Sequence, residues 1–443
     1  MADSLRILWG AEQPTRPTGY GVVTRNIVKR LAERGHEVFV MGWDYNGEDF
    51  KHEEGWTMVH AGISGFGGER TGPHDHSPSF LDLNIMRLQP DAYVSLIDPW
   101  FLGHAVHSTN MRDIPYFAYL PVDGYPISRE WMDILKLVHT PVWMSEFGRQ
   151  QFKEYVDMFK SEGSADFALR DPVIDRYEGL ETPMVYHGVD HQNFVPLSDE
   201  QKREARERLG IGRFDTVFLS VGRNQNRKQI PRLLEAFSMM LEKHPSPSTV
   251  GLVLHCGDPQ DSYGMGGWNL PFLIKMMGLA DNVTFSDPSQ NPLHGLSSDD
   301  MALLYGMADV HVLATGGEGF GIPSAEAMSC GLPVILPDNS TGPELVGATE
   351  PGIGERGILV ESVAHIIGPK YGVSMTLVDI PKLADAMLTL ATDENLRKRL
   401  GGAGRKHAVK EFCWEKITDQ FEQMFLDAKG KPHPLGNNAK VMR

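Results

Sequence analysis

Two glutamates in one glycine-rich stretch are the residues best placed to do chemistry. Residues 309–337 read Asp-Val-His-Val-Leu-Ala-Thr-Gly-Gly-Glu-Gly-Phe-Gly-Ile-Pro-Ser-Ala-Glu-Ala-Met-Ser-Cys-Gly-Leu-Pro-Val-Ile-Leu-Pro. The apolar run Val310 to Ala314 reads as a buried strand. Gly316, Gly317, Gly319 and Gly321 let the following backbone turn tightly and approach a ligand. Pro323 suits the first turn of a helix, which Gly331 ends. Pro333 to Leu336 is the next strand. The unit is therefore strand, glycine loop, short helix, strand. Free N–H groups and the positive end of the dipole make such a helix start an anion site. Glu318 and Glu326, with seven residues between them, would repel a phosphate there. An ionised carboxylate only accepts hydrogen bonds, so the pair suits hydroxyls. A ligand with both a diphosphate and sugar hydroxyls fits. A helix start favours acids in any case, which accounts for Glu326 but not for Glu318 inside the loop.

Glu318-Gly319-Phe320-Gly321-Ile322-Pro323-Ser324-Ala325-Glu326-Ala327-Met328-Ser329-Cys330-Gly331-Leu332-Pro333-Val334 resembles the sugar-nucleotide signature of glycosyltransferase family 4. These are retaining enzymes of the GT-B fold, in which two doubly wound, Rossmann-like α/β domains face each other across a cleft. The resemblance implies that Glu326 binds the ribose and that Glu318 meets the sugar near its anomeric carbon. Gly319, Phe320 and Gly321 would offer backbone N–H groups, and Ile322 completes the donor-binding segment.

Cations come from another strand end. Thr216 to Val221 reads as a strand, followed by Gly222-Arg223-Asn224-Gln225-Asn226-Arg227-Lys228 and a helix with Leu233, Leu234, Phe237 and Leu241 inward. Arg223 and Lys228 suit a diphosphate, and the family's matching Arg and Lys hold the leaving group, beside Gly222. With the helix dipole they would neutralise the departing diphosphate, so neither a metal nor a cofactor is expected. Near the N-terminus, Gly19-Tyr20-Gly21 follows a strand, Leu5 to Gly10, by a loop too long for a dinucleotide fingerprint. The family turns this loop, through Gly19 and Gly21, toward the diphosphate and the acceptor. Asp123 follows the strand Pro115 to Leu120, where the family places a histidine over the transferred sugar. Asp123 either replaces that histidine or is a turn residue.

The remaining elements frame these groups. Leu5 to Gly10, a helix carrying Val23, Ile27 and Leu31, and His36 to Trp43 form a βαβ unit, so a parallel sheet is expected. Further strands are read at Asp91 to Ile97, Val142 to Ser145, Met184 to Tyr186, Val250 to Cys256, Asn282 to Ser286 and Gly357 to Val360. Asp98-Pro99-Trp100 also follows a strand end. His187-Gly188-Val189-Asp190 resembles the family's Asn-Gly-Val-Asp at the domain junction. Domains are expected at 1–195, on the acceptor side, and 196–413, binding the nucleotide sugar. The family sends a helix at about 414–428 back onto the first domain, with Trp414 at the crossing. Helices are read over Ile380 to Leu400 and Ala403 to Phe425, and 429–443 as a tail. Residues 62–80, with His74, Asp75 and His76, read as a loop rather than a metal site. Residues 158–182 read as an insertion over the acceptor cleft.

Composition narrows the function classes. A chain of 443 residues with 41% hydrophobic and 23% charged residues can hold two cores. A net charge of −16 opposes broad binding to nucleic acid or anionic lipid. Arg25, Lys29, Arg30 and Arg34 form a basic face on the first helix, read as solvated, with membrane or acceptor docking as the alternative. No run is long enough to span a membrane, no signal peptide is read at the N-terminus, and Cys256, Cys330 and Cys413 show no metal spacing. A cytoplasmic protein without stable membrane insertion is expected. The expected function is metal-independent transfer of a hexose, with retention, from a nucleoside diphosphate sugar to an acceptor hydroxyl. The acceptor is open: a glycan, a lipid, a small molecule or a modified nucleic-acid base. Alternatives are a nucleotide-sugar epimerase of the same fold, a non-catalytic sugar-nucleotide binder, and a phage-type enzyme glycosylating modified DNA bases.

Overall fold

The computed structural model describes residues 4–43, 45–61, 78–102, 105–106, 109, 114–127, 131, 135, 138–161, 181–261, 266–286, 296–367 and 373–431. Most of the 62–80 loop with His74, Asp75 and His76, most of the 158–182 insertion, and the tail beyond 431 lie outside the described residues.

Two sheets of seven strands dominate. The first contains β1 (Arg6–Ala11), β2 (Glu37–Gly42), β3 (Phe50–Lys51), β4 (Thr57–Val59), β5 (Ala92–Leu96), β6 (Tyr116–Leu120) and β7 (Thr140–Trp143), ordered β3-β4-β2-β1-β5-β6-β7. The second contains β8 (Thr216–Val221), β9 (Val250–His255), β10 (Val283–Phe285), β11 (Val310–Val312), β12 (Val334–Pro337), β13 (Gly352–Ile353) and β14 (Gly357–Val360), ordered β10-β9-β8-β11-β12-β14-β13. Among the described residues of these two sheets, only the edge strands β3 and β13 pair antiparallel. Strands β5, β6 and β8 are buried along their whole length, as expected for parallel strands covered on both faces.

Strand order reverses between β1 and β5 in the first sheet and between β8 and β11 in the second. Ligands of open α/β sheets bind beyond the strand ends at such reversals. The glycine loop follows β11, and the Gly222–Lys228 stretch follows β8. Thus the sequence segments richest in chemistry leave the second sheet at its switch point.

Local chemistry starts the helices. Thr18 accepts a hydrogen bond from the Gly21 amide at 3.2 Å and caps the helix Gly19–Glu33, whose Val23, Ile27, Val28 and Leu31 are buried. Ser198 and Gln201 form a reciprocal capping box at the helix Asp199–Arg208, satisfying two otherwise orphaned amides.

The C-terminal helices differ from the expected pair. They are Ile380–Thr392, Glu394–Glu411 and Trp414–Ala428. Asp393 ends the first and caps the second, accepting from the Leu396 amide at 2.8 Å. Gly401 and Gly402 do not break the second helix, because it needs the first of them for packing. A Cβ on Gly401 would stand 2.0 Å from the Gly331 carbonyl oxygen. A further difference is an antiparallel hairpin, β15 (Ser362–Ile366) with β16 (Met375–Val378), which the sequence reading did not separate from its surroundings.

The last helix lies against the first half. Phe421 meets Trp9 edge to face at 5.5 Å between ring centres, and Phe425 meets Phe117 at 5.0 Å. Glu415 pairs with Arg30 at 2.8 Å, and Glu422 with Arg34 at 2.6 Å. Arg25 and Lys29 pair with Glu54 at 2.8 and 3.6 Å. All four cations of the basic face thus have acidic partners within the chain, and Arg25 and Lys29 stay partly exposed. Trp414 packs on Gly188, where a Cβ would lie 2.3 Å from the indole. There the two chain crossings meet, and the Val189 amide donates to the Phe412 carbonyl at 2.8 Å.

The adjacent glycines give a paired test. Gly401→Ala should destabilise the chain by about 1–3 kcal/mol through overpacking. Gly402→Ala, with nothing within 4 Å of its Cβ position, should stabilise it by up to about 1 kcal/mol through helix propensity. Urea midpoints of the two variants check this, and equal shifts of one sign would refute it.

Candidate functional site

The glycine loop is held open by its own neighbours. The Gly316 amide donates to the Arg227 carbonyl at 2.7 Å, and the Thr315 hydroxyl donates to the Gly317 carbonyl at 3.0 Å. The Glu318 amide donates to the Ser340 hydroxyl at 2.8 Å, and Ser340 donates to Asn339 at 3.0 Å. Gly321 then turns left-handed at φ +94° to start the helix Ile322–Ser329, a conformation that costs a residue with a Cβ. Phe320 is buried among His187, Tyr186 and Phe412, with ring centres 5.1, 5.7 and 5.2 Å away. Its side chain anchors the loop, and only its backbone faces outward chemistry.

Glu318 sits between two cations. Lys228 Nζ is 2.6 Å from Oε1, and Arg227 Nη1 is 3.2 Å from Oε2. Arg227 also donates to the Gly317 carbonyl, and its Nε lies 3.4 Å from Asp123 Oδ2 across the cleft. Burial alone would raise the Glu318 carboxyl. Lys228 and Arg227 outweigh it and hold the carboxyl at about 2. Burial pulls the Lys228 ammonium down, and Glu318 offsets part of that. On Arg227 burial opposes the charge, and Glu318 with Asp123 overcome it and raise the guanidinium.

Arg223, expected beside Lys228, is exposed and has no hydrogen bond or ion pair among the described residues. The cation that joins Lys228 on Glu318 is Arg227. The short 3-10 turn Asn226–Lys228, followed by Gln229 at φ +51°, sets which cation of the run reaches the carboxylate. Gly222 lies under Lys228, whose Cε is 3.2 Å from a Cβ built there.

The two halves touch through backbone. A Cβ on Gly317 would stand 1.7 Å from the Asp123 carbonyl oxygen, and one on Gly319 would stand 2.7 Å from Pro121 Cβ. Gly19 faces Ile322, with 3.5 Å between its Cβ position and the Ile322 terminal methyl. Gly21 serves its own turn, packed on the Arg16 carbonyl at 2.3 Å from a built Cβ. The sequence reading missed Tyr20 and Asp98 as members of this site. Tyr20 donates to Asp98 at 3.1 Å. Burial, then the charge of Asp123, push Asp98 up to about 6. The available signal was Asp98 itself, the first residue past Ile97 beyond β5.

Glu326 lies one turn into its helix and away from the cations. Burial pushes it up to about 7, opposed by the nearby Tyr305 hydroxyl. That hydroxyl is buried without a partner in hydrogen-bonding geometry. His187, at the junction, is neutral, since burial takes it to about 3. Its Nδ1 lies 2.7 Å from Tyr119, whose hydroxyl donates to the Val185 carbonyl at 2.9 Å. Nδ1 therefore carries the proton. Among the described residues no three His, Cys, Asp or Glu are grouped to hold a metal ion, and no helix is long and apolar enough to cross a membrane.

Residues 201–407 match the family described as Glycosyl transferases group 1. Among curated proteins, the D-inositol 3-phosphate glycosyltransferase of Thermomonospora curvata is 29% identical over 256 residues, 57% of this chain and 52% of that one. The protein of the same name from Thermobifida fusca is 26% identical over 321 residues, 69% of this chain and 67% of that one. The chain thus spans about half the length of the first of these relatives. Among solved structures, sucrose-phosphate synthase from Thermosynechococcus elongatus superposes with a TM-score of 0.69 at 20% identity, covering 95% of this chain and 98% of that one. Anabaena HepE in complex with UDP and glucose gives 0.64 at 17% identity, covering 96% and 100%. The fold is GT-B.

The opposite shifts of the two glutamates set a pH test. Glu326 is raised in the folded chain, so its contribution to stability is full below the unfolded carboxylate range and is lost as pH rises through about 7. Glu326→Gln removes that loss. The variant should gain stability over the parent between pH 5 and 8.5, by on the order of 2 kcal/mol. Urea melts at the two pH values measure it, and a pH-independent difference would refute it.

Proposed function

We propose that the chain is a glycosyltransferase that moves a hexose, with retained configuration, from a nucleoside diphosphate sugar to an acceptor hydroxyl without a metal ion. One observation carries the reading: a carboxylate kept ionised by two cations at the switch point of the second sheet. The match of residues 201–407 and the UDP complex of HepE support the donor class.

With its carboxyl near 2, Glu318 is a poor proton carrier at neutral pH. It suits charge stabilisation instead, facing the positive charge that develops on the sugar ring. Lys228 and Arg227 lie where the β-phosphate leaves. Glu318 and Asp123 already offset those two cations, so Arg223, exposed on the same loop, supplies further charge when the diphosphate binds. Gly319, Phe320, Gly321 and Ile322 present the loop and helix start to the donor, with Gly19 leaving room for its phosphates, Gly21 shaping the turn that carries Gly19, and Gly222 seating Lys228. Glu326, away from the cations, takes the ribose hydroxyls.

The step balances without an enzyme-bound sugar. The acceptor oxygen bonds to the anomeric carbon on the face from which the bond to the phosphate oxygen breaks. The acceptor proton passes to the departing phosphate oxygen. The products are a glycoside and a nucleoside diphosphate. Asp123, tied to Arg227, orients the sugar or the acceptor, and Asp98 with Tyr20 backs it. The acceptor is a glycan, a lipid, a small molecule or a modified base, met in the cytoplasm.

Release of diphosphate from UDP-, GDP- and ADP-glucose, with and without an acceptor panel, tests the class. Transfer should persist in excess chelator, and the product anomer read by NMR should match the donor. An inverted product or a chelator-sensitive rate would overturn the corresponding part. Glu318→Gln should lower kcat by about 2–4 kcal/mol of barrier and leave nucleoside diphosphate affinity intact. Glu326→Gln should mainly raise the donor KM and weaken the diphosphate. Asp123→Ala should lose transfer and keep diphosphate binding by calorimetry.

A further inference from the structure

One carboxylate at the cleft has no part in the chemistry above. Glu344 belongs to the second half, in the short helix Gly342–Val346. Its side chain crosses to the first half. Oε2 accepts from the Glu146 amide at 3.0 Å, and Oε1 is 3.5 Å from the Phe147 amide. Tyr186 also donates to Oε2, at 3.1 Å.

Those amides open the helix Glu146–Ser161. The first amides of a helix have no acceptor within it, and its dipole favours an anion there. Ser145 supplies only part of the cap, accepting from the Gly148 amide at 3.1 Å. The Glu146 carboxylate turns instead to Arg149, 2.7 Å away. Glu344 therefore completes a cap that the helix lacks in its own sequence, and it does so from the opposite half of the molecule. Burial pushes it up to about 7 against the pull of these donors.

The backbone under Glu344 is fixed as well. Arg356 donates to the Glu344 carbonyl at 2.7 Å and to the Leu345 carbonyl at 2.9 Å. Ser340, in the same turn, accepts from the Glu318 amide at 2.8 Å. Leu345 Cδ1 stands 3.0 Å from a Cβ built on Gly321. A displacement of Glu344 is thus passed to both ends of the segment Glu318–Gly321.

We propose that Glu344 is a positioning residue. It borrows the helix cap of the first half and so sets the register of the glycine loop against Asp123 when the two halves meet. It acts through Ser340 and Leu345 on Glu318 and touches no substrate. Its structural part is independent of the transferase reading, and only its kinetic consequence rests on that reading.

Hydrogen–deuterium exchange of the full chain reads the structural part without any substrate. In Glu344→Gln, amides 146–147 should exchange at least tenfold faster, and amides 316–321 should follow. Amides of β1 and β8 should stay as in the parent, which establishes that the variant is folded. Ser340→Ala should speed 316–321 alone. Exchange confined to 146–147 in Glu344→Gln would make the contact a local cap and overturn the proposal. Kinetically, Glu344→Gln should lower kcat about tenfold with the donor KM within threefold, using the best donor of the UDP-, GDP- and ADP-glucose set. An unchanged kcat would also overturn it. No turnover by the parent would instead sink the transferase reading and leave the exchange result to decide.

Discussion

An ionised carboxylate placed at the bottom of a cleft is costly unless cations meet it. Glu318 is met twice, by Lys228 at 2.6 Å and by Arg227 at 3.2 Å. The rest of the architecture follows from keeping those three groups together. Both cations leave the end of β8 and the carboxylate leaves the end of β11, adjacent strands at the reversal of the second sheet. A strand order that set these two apart would separate the charges and leave each one desolvated alone. The glycines around Glu318 serve the same end, because Gly317 lets Arg227 reach its carbonyl and lets the opposite half approach.

Arg227 is also where the halves become one site. It reaches Glu318 on its own side and Asp123 on the other. Three carboxylates around one guanidinium, with Asp98 the third, produce graded environments. Glu318 lies at about 2 beneath two cations, while burial and then the charge of Asp123 push Asp98 up to about 6 against the pull of the Tyr20 hydroxyl. Neighbouring acids held at different values can take different work at one pH.

Much of the fold was legible because parallel strands covered on both faces are apolar without interruption. Thr216–Val221 and Gly357–Val360 stand residue for residue where the sequence placed them. The glycine loop and its two glutamates were legible because their spacing is local. What stayed hidden depends on partners far along the chain. Nothing within the run Gly222–Lys228 tells which cation turns inward; that is decided by the 3-10 turn and by Gly317, ninety residues on. Asp98 gains meaning only from Tyr20 and Asp123, and Glu344 only from helix amides 198 and 197 residues earlier. Gly401 misleads for a related reason. Its neighbour Gly331 is distant in sequence, so a packing glycine looks like a helix stop.

The contact between Gly317 and the Asp123 carbonyl also limits what the chain can tolerate. Backbone meets backbone there, and a Cβ on Gly317 would stand 1.7 Å from the Asp123 carbonyl oxygen. Any side chain at 317 would therefore wedge the halves apart and pull Arg227 away from either Asp123 or Glu318, the two acids it joins. How closely the two sheets can stand is thus set by the absence of one methyl group.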